Sequence, residues 1–226
     1  MTRKIALWLI WIGFIAYILF LAPPPQPSTI KLLKNLFTGN WLEINPIILS
    51  LFSLIGIWIQ IYSCLIFADG RMQKIPAWPF VLASSATGVI GLIPYLALRE
   101  SNQEFSGEKD GLIKLLDSRL TSVGLALSTV VLLGYALLFG DWGEFIYQFQ
   151  TSRFINGMSL AFCLFCLLFP TLLGDDMARR SIKNDFVFWG VSLLPLIGSV
   201  AYLCLRPPLQ ETSAEVAPKP LASTSR

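Results

Sequence analysis

Apolar residues come in six blocks of about 18–22 residues, over 5–22, 47–68, 78–98, 120–139, 154–173 and 186–205, each bounded by charge, proline or tryptophan. That is the length a helix needs to cross the ~30 Å hydrocarbon core of a bilayer. The pattern predicts an all-α membrane protein, a six-span transmembrane domain over 1–206, with a C-terminal tail over 207–226. The tail is rich in Pro, Ser, Thr and Ala with little to bury, and is expected to be disordered. The first block follows Arg3 and Lys4 but runs into Pro23-Pro24-Pro25 with no small-x-small site, so it reads as a retained helix and not a cleaved signal.

Between the blocks, prolines at 23–25 and 27 forbid helix. Ile30, Leu33, Leu36 and Phe37 with Lys31 and Lys34 then predict a short amphipathic turn on the membrane surface. The longest connection is 99–119; its last third mixes Leu112, Ile113, Leu115 and Leu116 with Lys114 and Asp117, so the fourth helix is expected to begin in water. Composition agrees with a lipid-solvated chain: 54% apolar and 14% charged, where soluble domains carry about a quarter charged residues. The net charge of +3 is small and its basic residues are scattered, which argues against a nucleic-acid partner. With six crossings, Lys and Arg divide almost evenly between the two faces, and the positive-inside rule sets no orientation.

The chain also matches itself. Tyr95-Leu96-Ala97-Leu98-Arg99 recurs as Tyr202-Leu203-Cys204-Leu205-Arg206, and the same shift of 107 superposes Asp69 on Asp176 and Gly91 on Gly198. A second match pairs Gly39-Asn40-Trp41-Leu42-Glu43 with Gly140-Asp141-Trp142-Gly143-Glu144. Two copies of a three-helix unit, each with an odd number of crossings, would lie inverted in the membrane. Leucine-rich helices that end in Arg behind interfacial tryptophans also look alike without common descent.

Candidate chemistry is sparse. The chain has no histidine, which removes His-ligated haem, His-containing zinc sites and Ser-His or Cys-His pairs. Cys64, Cys163, Cys166 and Cys204 all fall inside predicted spans, where packing is the expected role even for the C-x-x-C pair. No catalytic centre, metal site or cofactor is expected. The densest charged motif is Asp175-Asp176-Met177-Ala178-Arg179-Arg180, in which each aspartate precedes an arginine by four residues. It reads as a charged helix end or, with Asp69, Arg71 and Lys74, as a cluster that binds an anionic headgroup or docks a partner subunit. Pro94, Pro170 and Pro195 interrupt spans and mark either kinks or a carrier's substrate site near the midplane. No ionisable residue lies deep in a span, which argues against ion coupling.

Asp69-Gly70-Arg71-Met72-Gln73-Lys74-Ile75-Pro76-Ala77-Trp78-Pro79-Phe80, running on to Gly91-Leu92-Ile93-Pro94-Tyr95-Leu96-Ala97-Leu98-Arg99, resembles an uncharacterised conserved family of integral membrane proteins of cyanobacteria and chloroplasts. Ser152-Arg153-Phe154 and Leu173-Gly174-Asp175-Asp176-Met177-Ala178-Arg179-Arg180 resemble its second signature. The resemblance implies a thylakoid or cyanobacterial inner-membrane setting. A fainter one, an acidic loop followed by a Gly-Pro-Tyr helix ending in Arg, is to neoxanthin-synthase-like membrane proteins of the carotenoid pathway. The expected function is a non-catalytic accessory or assembly factor for a membrane, and specifically a photosynthetic, complex, in contact with membrane lipid and with subunits of that complex. The alternatives are a small-molecule or lipid carrier built from inverted repeats, and a membrane enzyme of lipid or isoprenoid metabolism.

Overall fold

The computed structural model describes residues 2–211, all-α in secondary structure. Among the described residues four helices are long and apolar enough to cross a membrane: α1 (Thr2–Leu21, its last turn π-wound), α3 (Pro46–Gly70), α7 (Arg119–Phe139) and the pair α9 (Arg153–Leu168) and α10 (Pro170–Arg179). Their starts are written locally. Asn45 caps α3 by accepting from the Ile47 amide ahead of Pro46 in the first turn, and Ser118 caps α7 by accepting from Thr121. The expected surface helix is present as α2 (Ser28–Thr38), and α8 (Trp142–Thr151) is its counterpart before α9. The short α6 (Gly111–Leu116) precedes α7 as a separate turn, capped by Asp110.

The blocks at 78–98 and 186–205 do not form single helices of membrane-spanning length, so the expected six crossings are not borne out. Each is a hairpin of two short helices, α4 (Trp78–Thr87) with α5 (Val89–Leu98), and α11 (Asp185–Leu193) with α12 (Ile197–Leu205). An arm of ten residues rises about 15 Å, half of the hydrocarbon thickness. Gly88, at φ 62°, turns the first hairpin; Leu196, at φ 66°, turns the second in a tight γ-turn closed by the Ile197 amide on the Pro195 carbonyl at 2.8 Å. The arms of the first run antiparallel: Phe80 lies against Tyr95 with ring centroids 5.6 Å apart, and Gln73 exchanges two hydrogen bonds with the backbone of Glu100. Glycine permits their close approach. A Cβ on Gly91 would sit 2.4 Å from the Ser84 nitrogen, and one on Gly198 would sit 2.7 Å from the Val191 carbonyl oxygen. A hydropathy profile is blind to direction, so a reversal at a glycine inside an apolar block reads as one continuous span.

With the hairpins returning to the side they leave, one crossing, α7, separates α3 from α9 and α10, and the two run parallel. The inverted arrangement expected from three spans per copy is therefore not formed. Residues 107 apart meet across the α3–α9 contact: Trp58 stacks on Phe165 with planes within 6°, and Tyr62 meets Phe169 edge-on at 5.8 Å. All four rings are buried. The Tyr62 hydroxyl donates to the Phe165 carbonyl at 2.8 Å, beside the break before Pro170.

The other two prolines expected to interrupt spans are accommodated differently. Pro94 deprives the Ile90 carbonyl of its intrahelical donor, and the Trp11 indole N–H supplies one at 2.9 Å, tying α1 to α5. Pro195 lies in the hairpin turn and interrupts no helix. The first residues of the expected tail pack on the helices: Leu209 is buried with Ala68, Phe105 and Ile113, and its amide donates to Asp117 at 3.0 Å. Residues 212–226 of the expected tail lie outside the described residues. In a cysteine-free background, single cysteines at Gln73, Asn102 and Lys183 are expected to label from one face and cysteines at Lys34 and Glu144 from the other. Labelling of Asn102 and Gln73 from opposite faces would restore the span at 78–98.

Candidate functional site

At the end of the molecule where α3 and α10 finish and both hairpins open, four arginines and four aspartates are sealed from solvent. The sequence positions them by repetition. Asp69 accepts from the Tyr95 hydroxyl at 2.7 Å and from Arg99 through Nε at 2.8 Å and Nη2 at 2.6 Å. Asp176 accepts from the Tyr202 hydroxyl at 2.7 Å and from Arg206 Nη1 at 3.0 Å. The separations along the chain are the same, 26 residues from Asp to Tyr and 30 from Asp to Arg. Each set joins the end of a spanning helix to the returning arm of the hairpin that follows it.

The two sets are cross-linked by the motif at 175–180. Arg179 reaches back to Asp69 at 2.9 Å and to the Asn102 carbonyl at 2.7 Å, while Asp175 takes Arg99 and the Ser101 hydroxyl. Arg180 pairs with Asp176 at 2.9 Å and with Asp117 at 2.8 Å, and donates to the Pro207 carbonyl. Asp117 also holds Lys109 at 3.3 Å. The i,i+4 pairing expected from sequence thus forms for Asp176 and Arg180 but not for Asp175 and Arg179, whose partners lie across the contact between halves. The side chains of Asp69, Asp176, Arg179 and Arg180 are fully buried.

Four guanidinium groups against four carboxylates leave Arg99, Arg179, Arg180, Arg206 and their partners Asp69, Asp117, Asp175 and Asp176 electrically neutral as a set. Burial opposes charge on Arg99, but the hydrogen bond and charge of Asp69, with Asp175 behind it, more than offset this and hold its pKa above the usual arginine value. Arg180 is shifted the same way, with burial outweighed by Asp176 and Asp117. Satisfaction is uneven. Asp176 Oδ1 and the Nε and Nη2 of Arg179 are buried without a hydrogen bond, their compensation being the ion pair between Asp176 Oδ1 and Arg179 Nη2 at 3.9 Å.

Of the residues expected to form one charged cluster, Asp69, Asp175, Asp176, Arg179 and Arg180 come together; Arg71 and Lys74 stay outside. Arg71 is partly exposed, on the Glu108 carbonyl and Asp110, and Lys74 is exposed. An open headgroup site made of these residues is not what the geometry gives, because the arginines have already spent their charge on buried aspartates. Arg99, Arg206, Tyr95 and Tyr202 carry the network and were present in the repeat match. Asp117, in the loop before α7, had no such signal. Among the described residues no group of three or more His, Cys, Asp or Glu is arranged to hold a metal ion, and all four cysteines are free thiols.

Removing one member of a buried pair strands its partner's charge, at a cost of about 3–5 kcal/mol. Asp176→Ala is therefore expected to lower stability by that amount, and the reversal of Arg179 and Arg180 to Glu to abolish the folded protein in detergent. Arg71→Ala and Lys74→Ala are expected to change stability by no more than about 0.5 kcal/mol. Thermal unfolding monitored by size-exclusion chromatography checks both, and a stable double reversal would show that the motif is a solvated helix end. Comparison of the chain with protein-family models, with curated proteins and with solved structures gives no match in any of the three.

Proposed function

We propose that the protein is a multi-pass integral membrane protein without a catalytic centre, serving as an accessory or assembly factor for a larger membrane complex, with the thylakoid or cyanobacterial inner membrane as its setting. The observation that carries this is where polarity and apolarity are placed. The charged groups that could have served chemistry are closed into a neutral buried network, while α7 turns Leu120, Val123, Leu127, Val130 and Leu138 outward along its whole length. That stripe offers partner helices the same packing it offers lipid.

We further infer that the halves arose by duplication of a unit made of span, surface helix, span and half-membrane hairpin. Two crossings per unit make the copies parallel, related about an axis along the membrane normal. Counting the hairpins as re-entrant also gives an orientation. Among the described residues, Lys31, Lys34 and Arg153 are the basic ones at the far end, and the others, from Arg3 to Arg206, lie at the network end. The positive-inside rule then puts the network on the cytoplasmic or stromal side.

A carrier remains the second reading because the two hairpins differ. Phe80 closes the first against Tyr95, whereas the second opens an apolar groove of ≈ 340 Å³ lined by Val187, Leu194 and Tyr202. Against it stands the α3–α9 axis, filled by Trp58, Tyr62, Phe165 and Phe169 where a carrier needs a cavity.

Three experiments decide. A tagged copy solubilised in mild detergent is expected to migrate with co-purifying subunits, and its deletion to lower the abundance of a membrane complex. Migration only near the mass of a 25.2 kDa monomer or dimer, with complexes intact, would overturn the assignment. An altered pigment or lipid profile with intact complexes would point instead to an enzyme, and water access from both faces around Gly91 and Gly198 to a carrier.

A further inference from the structure

At the end opposite the ion network lies a polar groove of ≈ 440 Å³ between α2 and α8, within the size range of small-ligand pockets. Each helix lines it with a polar stripe at helical spacing: Ser28, Lys31 and Asn35 on α2, and Glu144, Gln148 and Thr151 on α8. Packed amphipathic helices ordinarily turn their apolar stripes to each other. Here the polar stripes face across a gap, so the groove presents hydrogen-bonding groups to whatever fills it. The groove is anchored at fixed depth, since Gln26 donates to the Thr151 carbonyl at 2.8 Å and Arg153 to the Pro23 carbonyl at 3.0 Å. It sits where α1 and α7 end and α3 and α9 begin, the membrane boundary of this face. Ile30 and Phe37 of α2 and Ile146 of α8 are exposed beside it, an arrangement that seats such helices among lipid headgroups.

Charge selects the ligand class. Lys31 is held by Glu43 at 3.0 Å, and Asn35 donates to the same carboxylate at 3.1 Å. Glu144 accepts from Gln148 at 2.6 Å. One ammonium against two carboxylates leaves the lining net negative, which opposes phosphate or sulfonate. What it offers is a mixture of hydroxyl, amide and carboxylate groups that both donate and accept, with the exposed Tyr147 ring at the rim. We propose that the groove between α2 and α8 binds an uncharged polyhydroxylated headgroup, the sugar of a glycosyl diacylglycerol. The proposal rests on the membrane reading above but not on the accessory role.

The test uses the full chain in phosphatidylcholine nanodiscs, with membrane insertion scored separately by vesicle flotation, so that a failure to insert is distinguished from a failure to bind. Monogalactosyl diacylglycerol and phosphatidylglycerol with matched acyl chains are offered together and bound lipid is read by native mass spectrometry. At least tenfold enrichment of the glycolipid is expected, displaced by free methyl galactoside, lost in Tyr147→Ala/Gln148→Leu and kept in the Trp189→Ala control. Equal retention of the two lipids, preference for the anionic lipid, a glycolipid signal that methyl galactoside does not displace, or unchanged binding by the groove variant would each overturn the assignment.

Discussion

Charge neutrality in a sealed space is the constraint on which the rest of the structure depends. Moving an ion out of water costs several kcal/mol even after relaxation, and is repaid only when partners are near, well oriented and complete. Here the partners come from distant parts of the chain: Asp69 ends α3, Arg99 ends the first hairpin, Arg179 ends α10, and Asp117 precedes α7. None is properly compensated unless all these segments are in place. The network therefore specifies which helix ends meet more than it adds stability, since a well-packed apolar replacement could match its energy. Its aspartate–tyrosine bonds fix each hairpin to the spanning helix before it, and the crossing contacts of Arg179 and Asp175 join the two units into one body.

A hairpin that returns to its own face requires its backbone reversal to be satisfied in an apolar layer. The first hairpin does this internally, with the Ser84 hydroxyl on the Gly88 carbonyl at 2.8 Å and the Gly88 amide on the Ser84 carbonyl at 2.7 Å. The second lacks a glycine at the reversal and holds Leu196 at a positive φ instead, buried so that packing enforces the strain. The difference has a consequence at the surface, where one hairpin is closed and the other leaves a groove. Function, under the proposed reading, is divided by depth: a locked cytoplasmic end, apolar flanks open to lipid or partner helices, and a polar groove at the opposite boundary.

Much of this was legible in the residues, though not its direction. The 107-residue match was carried by Asp, Tyr, Arg and Gly, and these are the residues that form the paired network and the close hairpin contacts. Composition pointed to helices long and apolar enough to cross a membrane, and the amphipathic positions around Leu33 located α2. What failed was counting. Apolar runs at 78–98 and 186–205 have the length of a span, and no polar residue announces the turn at Gly88 or at Leu196. Counting each hairpin as a crossing made the repeats inverted and the loop charges even; under the proposed reading, counting it as none makes them parallel and the charges lopsided. Asp175 was misjudged for a different reason, because the i,i+4 rule describes exposed helix surfaces, and burial gave this carboxylate a better partner in Arg99.

The central claim is that charges on the two units are energetically coupled. A double-mutant cycle on Asp69→Asn and Arg179→Gln, residues 110 positions apart, measures it through unfolding free energy in detergent. A coupling energy of about 2 kcal/mol is expected for partners in one buried network, whereas additivity to within about 0.5 kcal/mol would contradict it.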